Sequence, residues 1–242
     1  MLYTKNTSAM YYDCDINNNL KMSAAMQYMQ QTSSEQMELA GIAPGMLMAE
    51  NMVFLLSQSA LIVNRMPQAA EKINITTAAT AYRGARFVRE FAIETPGGER
   101  LVSSSTLWIL VNPASRRIIR PADFPYAIEL EKSFVPEELA DISFPKSPEA
   151  LADRELLIPV RYSQLDCNRH INNGIYADFV CDVLDYDELD SRGIQSLTIK
   201  FQNEAKHGDS LKISRYTIKA GEYYIEGSHE RAGCFQALVN LK

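Results

Sequence analysis

The sequence predicts an α+β fold made of two similar units in tandem, each a long helix wrapped by a curved antiparallel sheet. Three observations carry this. An Asp-x-Asn string occurs twice, at Asp15-Ile16-Asn17-Asn18-Asn19-Leu20 and at Asp166-Cys167-Asn168-Arg169-His170-Ile171, each after an aromatic-containing stretch. A helix-like stretch follows each copy. A series of alternating, β-branched or aromatic segments follows each helix, which is the pattern of antiparallel strands joined by short turns.

Taken in order, each half reads as one strand, one helix and then several strands. Ser23 can cap a first helix running to about Leu39, with Met22, Met26, Met29 and Met37 on or near one face and Gly41 as its stop. Strands then read over Met52–Asn64, Glu71–Ala81, Phe87–Glu94 and Leu101–Asn112, with Pro96-Gly97-Gly98 as a hairpin turn. In the second half, Asn172 or Asn173 can cap a helix through about Leu184. Strands follow over Ile194–Asn203, Ser210–Ile218, Tyr223–Glu230 and Cys234–Leu241. Five of the ten prolines fall between residues 121 and 150, which marks a connector. The expected organisation is a first domain over 1–122 that binds an apolar substrate part, a linker over 123–153 and a catalytic domain over 154–242. A helix beside a continuous meander buries its apolar stripe most economically inside a curved sheet, a hotdog-type arrangement. Two such units can cover each other's sheet edges.

Composition narrows the function classes. With 242 residues and 46% hydrophobic content the chain can bury one large core or two ordinary ones. Its longest apolar runs, Leu107–Val111 and Val53–Leu56, fall far short of the roughly 20 residues of a membrane span. The N-terminus turns polar at once, without a secretory pattern, so a cytoplasmic protein is expected. Four widely separated cysteines suggest reduced thiols rather than a zinc ribbon or redox pair. A net charge of −6 opposes broad binding of a polyanion, so no nucleic-acid partner is expected. The arginine strings 83, 86, 89 and 116, 117, 120 read as solvated strand faces.

The candidate chemistry lies in the second half, because all three histidines, His170, His207 and His229, are there. If residues 166–170 are extended, Asp166, Asn168 and His170 share one side. Glu204, just before the turn at Lys206-His207-Gly208-Asp209, supplies a second carboxylate. Aligning that turn with Ala70-Glu71 puts Met66 where Glu204 stands, and the Asp-x-Asn alignment puts Asn19 where His170 stands. The first half has lost both polar groups. One catalytic unit and one unit holding an apolar substrate part is the reading, with Met26, Met29 and Phe54 as candidate substrate-binding residues. His207 and His229 show no ligand-type spacing and read as surface residues; no metal and no cofactor is expected. Cys167 would point away from the cleft, as a small core residue.

The run Asp166-Cys167-Asn168-Arg169-His170-Ile171-Asn172-Asn173 followed by Tyr176 resembles the signature of acyl-ACP thioesterases of plants and bacteria. Arg65-Met66-Pro67, Trp108 with Asn112, Arg117 and Pro121, and Glu204 before Gly208-Asp209 extend the resemblance over nearly the whole chain. It implies a double hotdog that hydrolyses fatty acyl-acyl carrier protein, giving free fatty acid and holo-ACP and ending fatty acid synthesis. Its implied catalytic positions are Asp166, Asn168, His170 and Glu204, and its partner is an acyl carrier protein bearing a fatty acyl chain. Ala205 stands where some plant members carry a cysteine, so no nucleophile is available there. Phe54 replaces an expected tryptophan, and Thr77-Ala78 lacks another, which puts the shape of the acyl pocket in question.

The residue types suit thioester hydrolysis, since a thiolate leaves readily and the enzyme mainly needs an activated attacker and a held oxyanion. Glu204, desolvated in a cleft, would activate water or attack directly, and Asp166 would orient His170; the two carboxylates could exchange roles. Asn168 and N–H groups at the start of the second helix would hold the thioester oxygen. A broader acyl-CoA thioesterase, a hotdog dehydratase and a non-catalytic acyl-binding protein are the alternatives. Oligomeric state stays open between a monomer and a homodimer.

Overall fold

A computed structural model describes residues 1–242 apart from Ala140, Asp141, Ser147 and Glu149. The chain forms two compact units, Met1–Ala140 and Asp141–Lys242. Parts of the stretch expected to be a linker therefore lie outside the described residues.

In the first unit, strand β1 (Tyr3–Ser8) leads into helix α1 (Met22–Leu39), short helix α2 (Pro44–Ala49) and strands β2 (Val53–Val63), β3 (Lys72–Arg83), β4 (Arg86–Glu94), β5 (Arg100–Asn112) and β6 (Arg117–Ile119). The strands run antiparallel in the order β1-β3-β4-β5-β2, with β6 on β5. Helix α1 packs on β3 and β1. It buries Met22, Met26 and Met29. Its cap is Lys21 rather than Ser23, which sits buried in the first turn. The stop is as expected: Gly41 is left-handed at φ 76°, and the Ile42 N–H reaches the Met37 carbonyl at 2.8 Å, closing the helix as a Schellman motif.

The inner face of this unit is not wholly apolar. Arg89, read from the sequence as solvated, is buried at 9% exposure and donates to Gln36 of α1 and to Thr77 Oγ1 at 3.2 Å. Alternation explains it: Arg89 shares a strand face with Phe87 and Phe91, and both of those are buried. The proline-rich stretch after β6 also departs from a bare connector. Phe124, Tyr126 and Ile128 alternate between the prolines and settle on the cluster of Ile42, Leu47, Met52, Phe87 and Leu110. Further along, Glu90 of β4 accepts hydrogen bonds from Ser133 Oγ and the Phe134 N–H.

The second unit repeats the plan with β7 (Arg154–Pro159), α3 (Ile175–Val183), α4 (Tyr186–Arg192), β8 (Ile194–Phe201), β9 (Ser210–Lys219), β10 (Glu222–His229) and β11 (Ala232–Leu241). Its antiparallel order is β8-β11-β10-β9-β7. Helix α3 lies on β9 and β7 and buries Tyr176, Ala177, Phe179, Val180 and Val183. Each large apolar side chain so buried stabilises by about 1.5–3 kcal/mol before entropy is charged. Its cap is Gly174, not an asparagine; Asn172 instead accepts the Gly174 N–H at 2.9 Å and shapes the turn before the helix. Both units are thus of hotdog type. Among the described residues no helix is long and apolar enough to cross a membrane.

Candidate active site

The site begins with the loop at residues 165–171. It is a closed turn rather than the extended run that alternation suggested: Leu165 bridges Ile171, the Asp166 N–H donates to the His170 carbonyl at 2.9 Å, and Arg169 is left-handed at φ 67°. The Asp166 carboxylate holds this turn by accepting the Asn168 N–H at 2.8 Å on Oδ1. Asn168 adds a longer contact from Nδ2 to Oδ2 at 3.5 Å.

A second turn faces it. His170 bridges Lys206, and the Ile171 N–H donates to the Ala205 carbonyl at 3.0 Å, which sets Glu204 beside the imidazole. His170 Nε2 lies 3.6 Å from Glu204 Oε1, and Nδ1 lies 3.9 Å from Asp166 Oδ1. The imidazole stands between two carboxylates, at distances that a modest tightening turns into hydrogen bonds. His170 is 19% exposed and Asp166 17%. Glu204 departs from expectation: its side chain keeps 49% exposure and lies 3.4 Å from Lys206 Nζ, because it follows the end of β8 on a turn open to solvent.

All four predicted catalytic residues therefore belong to two adjoining turns of one unit. Three other expectations are corrected. Cys167 is exposed rather than a core residue, since the turn directs it outward. The N–H groups of Gly174 and Ile175 at the start of α3 are taken up by Asn172, so they are not free for an oxyanion. His229 is more than a surface residue. Its Nδ1 accepts the Arg231 and Ala232 N–H groups at 3.2 and 3.1 Å, which leaves the proton on Nε2, 3.2 Å from the Glu204 carbonyl. Its sequence signal was its place at the end of β10, which no spacing rule marks.

The first unit carries the same pair of turns without the chemistry. Cys14 bridges Leu20, the Asp15 N–H donates to the Asn19 carbonyl at 2.8 Å, Asn18 is left-handed at φ 58°, and Asp15 Oδ1 accepts the Asn17 N–H at 2.9 Å. Asn19 bridges Gln68, and the Leu20 N–H donates to the Pro67 carbonyl at 2.7 Å. Asn19 thus occupies the place of His170 and Met66 that of Glu204, as the alignment required.

Of the candidate substrate-binding residues, Met26 and Met29 are buried at 6% and 3% exposure on α1. Phe54 is half-buried in an aromatic cluster, its ring centroid 5.0 Å from that of Phe87 and 5.7 Å from that of Phe124. Among the described residues no group of three or more His, Cys, Asp or Glu is gathered to hold a metal ion.

These features agree with known proteins. Residues 1–127 match the family model of the acyl-ACP thioesterase N-terminal domain, and residues 149–238 that of the C-terminal domain. The chain is 25% identical to the chloroplastic acyl-[acyl-carrier-protein] hydrolase FATB2 of Cuphea viscosissima, over 100% of its own length and 60% of that protein. It is 26% identical to a chloroplastic palmitoyl-acyl carrier protein thioesterase of Cuphea hookeriana, over 95% of its own length and 58% of the other. It therefore spans about three-fifths of the length of these curated relatives. The crystal structure of an acyl-ACP thioesterase from Bacteroides thetaiotaomicron shares the fold, with TM-score 0.86 at 18% identity, covering 100% of this chain and 98% of that one. With both domain models matched in order and a paired set of turns in each half, the chain belongs to the acyl-ACP thioesterase family.

Proposed function

We propose that this chain hydrolyses the thioester joining a fatty acyl group to acyl carrier protein: water adds to the acyl carbon, the carbon–sulfur bond breaks, and free fatty acid and the carrier thiol leave. The observation that carries this reading is the contrast between the two halves. Both keep the aspartate and asparagine of the turn, whereas His170 and Glu204 meet in the second half alone. A pair of groups kept where the turn needs nothing chemical beyond its own hydrogen bonds is a catalytic pair.

The same contrast separates the two carboxylates. Asp166 is engaged by the Asn168 N–H, the role Asp15 has in a half without the histidine, so it builds the turn and orients the imidazole. Glu204, beside His170 Nε2, is the general base that takes the proton of the attacking water, and His170 receives that proton from Glu204 and relays it to the departing sulfur. Asn168, exposed at the turn, is the donor to the thioester oxygen. No metal or cofactor enters the scheme. Met26, Met29 and Phe54 of the first unit hold the acyl chain. Four free thiols favour a reducing compartment, and we place the protein in the cytoplasm.

Thiol release from acyl carrier proteins of graded chain length tests the reading. Glu204→Gln and His170→Ala should each lower kcat by about 10²–10⁴-fold, the span of general acid–base catalysis. Unchanged thiol release in both variants would remove the assignment, and equal turnover of free acyl-CoA would replace carrier-protein recognition by general thioester hydrolysis.

A further inference from the structure

His229 ends β10, and its two ring nitrogens make different bonds. Nδ1 accepts the Arg231 and Ala232 N–H groups at 3.2 and 3.1 Å, which closes the hairpin to β11. Nε2 therefore carries the proton and donates it to the Glu204 carbonyl at 3.2 Å. The residues on either side of Glu204 are tied down as well. Asn203 Nδ2 donates to the Gly233 carbonyl at 2.7 Å, and the Ala205 carbonyl accepts the Ile171 N–H at 3.0 Å. The Lys206 N–H donates to Asp209, itself paired with Arg231 at 2.8 Å. Each residue from 203 to 206 is thus held, and His229 is the side chain that holds the peptide of Glu204 itself.

The first unit supplies a comparison within one chain. The Asn64 and Arg65 N–H groups share the Leu101 carbonyl, as those of Gln202 and Asn203 share the Cys234 carbonyl, so Met66 matches Glu204 and the two hairpins align. Leu101 lies two residues after Glu99, as Cys234 does after Ala232. Thr95 then stands where His229 stands: its Oγ1 accepts the Glu99 N–H at 3.1 Å, as His229 Nδ1 accepts that of Ala232. Among the described residues Thr95 makes no hydrogen bond to Met66; its hairpin is joined to the turn one residue earlier, by Arg65 and Glu99 at 2.8 Å. Closing the hairpin needs an acceptor, and both halves have one. The donor aimed at the carbonyl accompanies Glu204 and not Met66.

We propose that His229 is a positioning residue of the thioesterase site: its Nε2–H fixes the Glu204 peptide and so keeps the Glu204 carboxylate turned to His170. The proposal rests on the hydrolase reading above. The carboxylate has two neighbours to choose between, His170 Nε2 at 3.6 Å and Lys206 Nζ at 3.4 Å. Which rotamers a side chain adopts depends on its own backbone angles, so holding the carbonyl of a half-exposed glutamate on an open turn restricts the carboxylate to those that meet the imidazole.

The experiment separates the two ring nitrogens on the full chain, read by thiol release from acyl carrier protein with thermal melts alongside. His229→Asn puts an amide oxygen where Nδ1 stands, which keeps the hairpin acceptor and removes the donor to Glu204. His229→Gln carries an amide nitrogen to where Nε2 stands, which keeps the donor and removes the acceptor. His229→Asn should melt near wild type yet lower kcat about tenfold with KM unchanged, the signature of an interaction that matters in the transition state. His229→Gln should melt lower and recover most of that kcat. In a Glu204→Gln background, His229→Asn should cost nothing further, because its effect passes through the Glu204 carboxylate. Wild-type kcat in His229→Asn overturns the proposal, as do equal losses in the Asn and Gln variants or losses that multiply with Glu204→Gln. Should His229→Asn fail to fold, His229→Thr, which installs the residue of the first hairpin, decides by the same kcat and double-variant readings. A wild-type chain that releases no thiol from any acyl carrier protein would instead remove the underlying hydrolase reading.

Discussion

Asp15 and Asp166 are the same residue in two settings, and the pair separates architecture from chemistry. Asp15 Oδ1 accepts N–H groups of Asn17 and Asn19, each at 2.9 Å, with no imidazole to orient. Asp15→Ala should therefore cost about 1 kcal/mol of stability, as lost turn hydrogen bonds do, and leave kcat at wild-type level. Asp166→Ala should cost a similar amount and also lower kcat, because His170 loses its neighbour at 3.9 Å. Chemical denaturation beside thiol release measures both, and an Asp15→Ala enzyme that lost kcat would break the distinction. The cysteines give a second residue-scale test. Burial pushes the Cys234 thiol up to about 11, whereas Cys167 is exposed. Iodoacetamide at neutral pH should label Cys167 in the native protein and spare Cys234 until unfolding, as peptide mass mapping would show. Cys167→Ser should retain activity.

The turns that close each site are coupled to pH by their own carboxylates. Burial pushes the Asp209 carboxyl up, but the Lys206 N–H at 2.9 Å and Arg231 at 2.8 Å outweigh it and hold the group below the ordinary value of 3.8. A carboxyl depressed in the folded state contributes stability that is present above its unfolded value and is lost as pH falls through the folded one. Melting temperature should therefore fall as pH drops below about 4, and Asp209→Asn should start lower at neutral pH and fall less steeply. Parallel curves for the two proteins would count against this. Beside this turn, a Cβ on Gly227 would meet Phe235 Cε1 at 2.1 Å and push the ring on which Tyr176 rests. Gly227→Ala should destabilise by about 1–3 kcal/mol, the usual cost of overpacking. At this scale much was legible in the sequence. The long strands fall within about two residues of the alternating pattern, since period two over eight or more positions is hard to mimic. Helices α2 and α4 and strand β6 are too short to show a period. The turn at 165–171 was misread as extended because its bend depends on left-handed Arg169, a residue type that carries no turn signal. His229 was read as a surface residue because its partner, the Glu204 carbonyl, is a backbone group far along the chain, which side-chain spacing does not reveal.

Duplication lets one half keep chemistry while the other changes freely, provided both keep the residues that fold the turns. The first unit holds Asn19, Met66, Ala25 and Pro67 at the four places where the second holds His170, Glu204, Tyr176 and Ala205, and both retain Asp-x-Asn. If the first unit now serves acyl-chain binding, variants in the two halves should change different kinetic quantities. Phe54→Ala removes a half-buried ring from the cluster with Phe87 and Phe124, so the preferred acyl chain should lengthen while the pH dependence of kcat stays that of wild type. Glu204→Gln should lower kcat for every chain by one common factor and leave the order of preference intact. Combining them should multiply the effects, because residues without a shared partner contribute independently. Competition assays with acyl carrier proteins of graded length, run on the two single variants and the double, read all three quantities at once. A Phe54→Ala enzyme slowed equally on every chain, or a Glu204→Gln enzyme with a new preferred length, would show that binding and chemistry are not divided between the halves in this way.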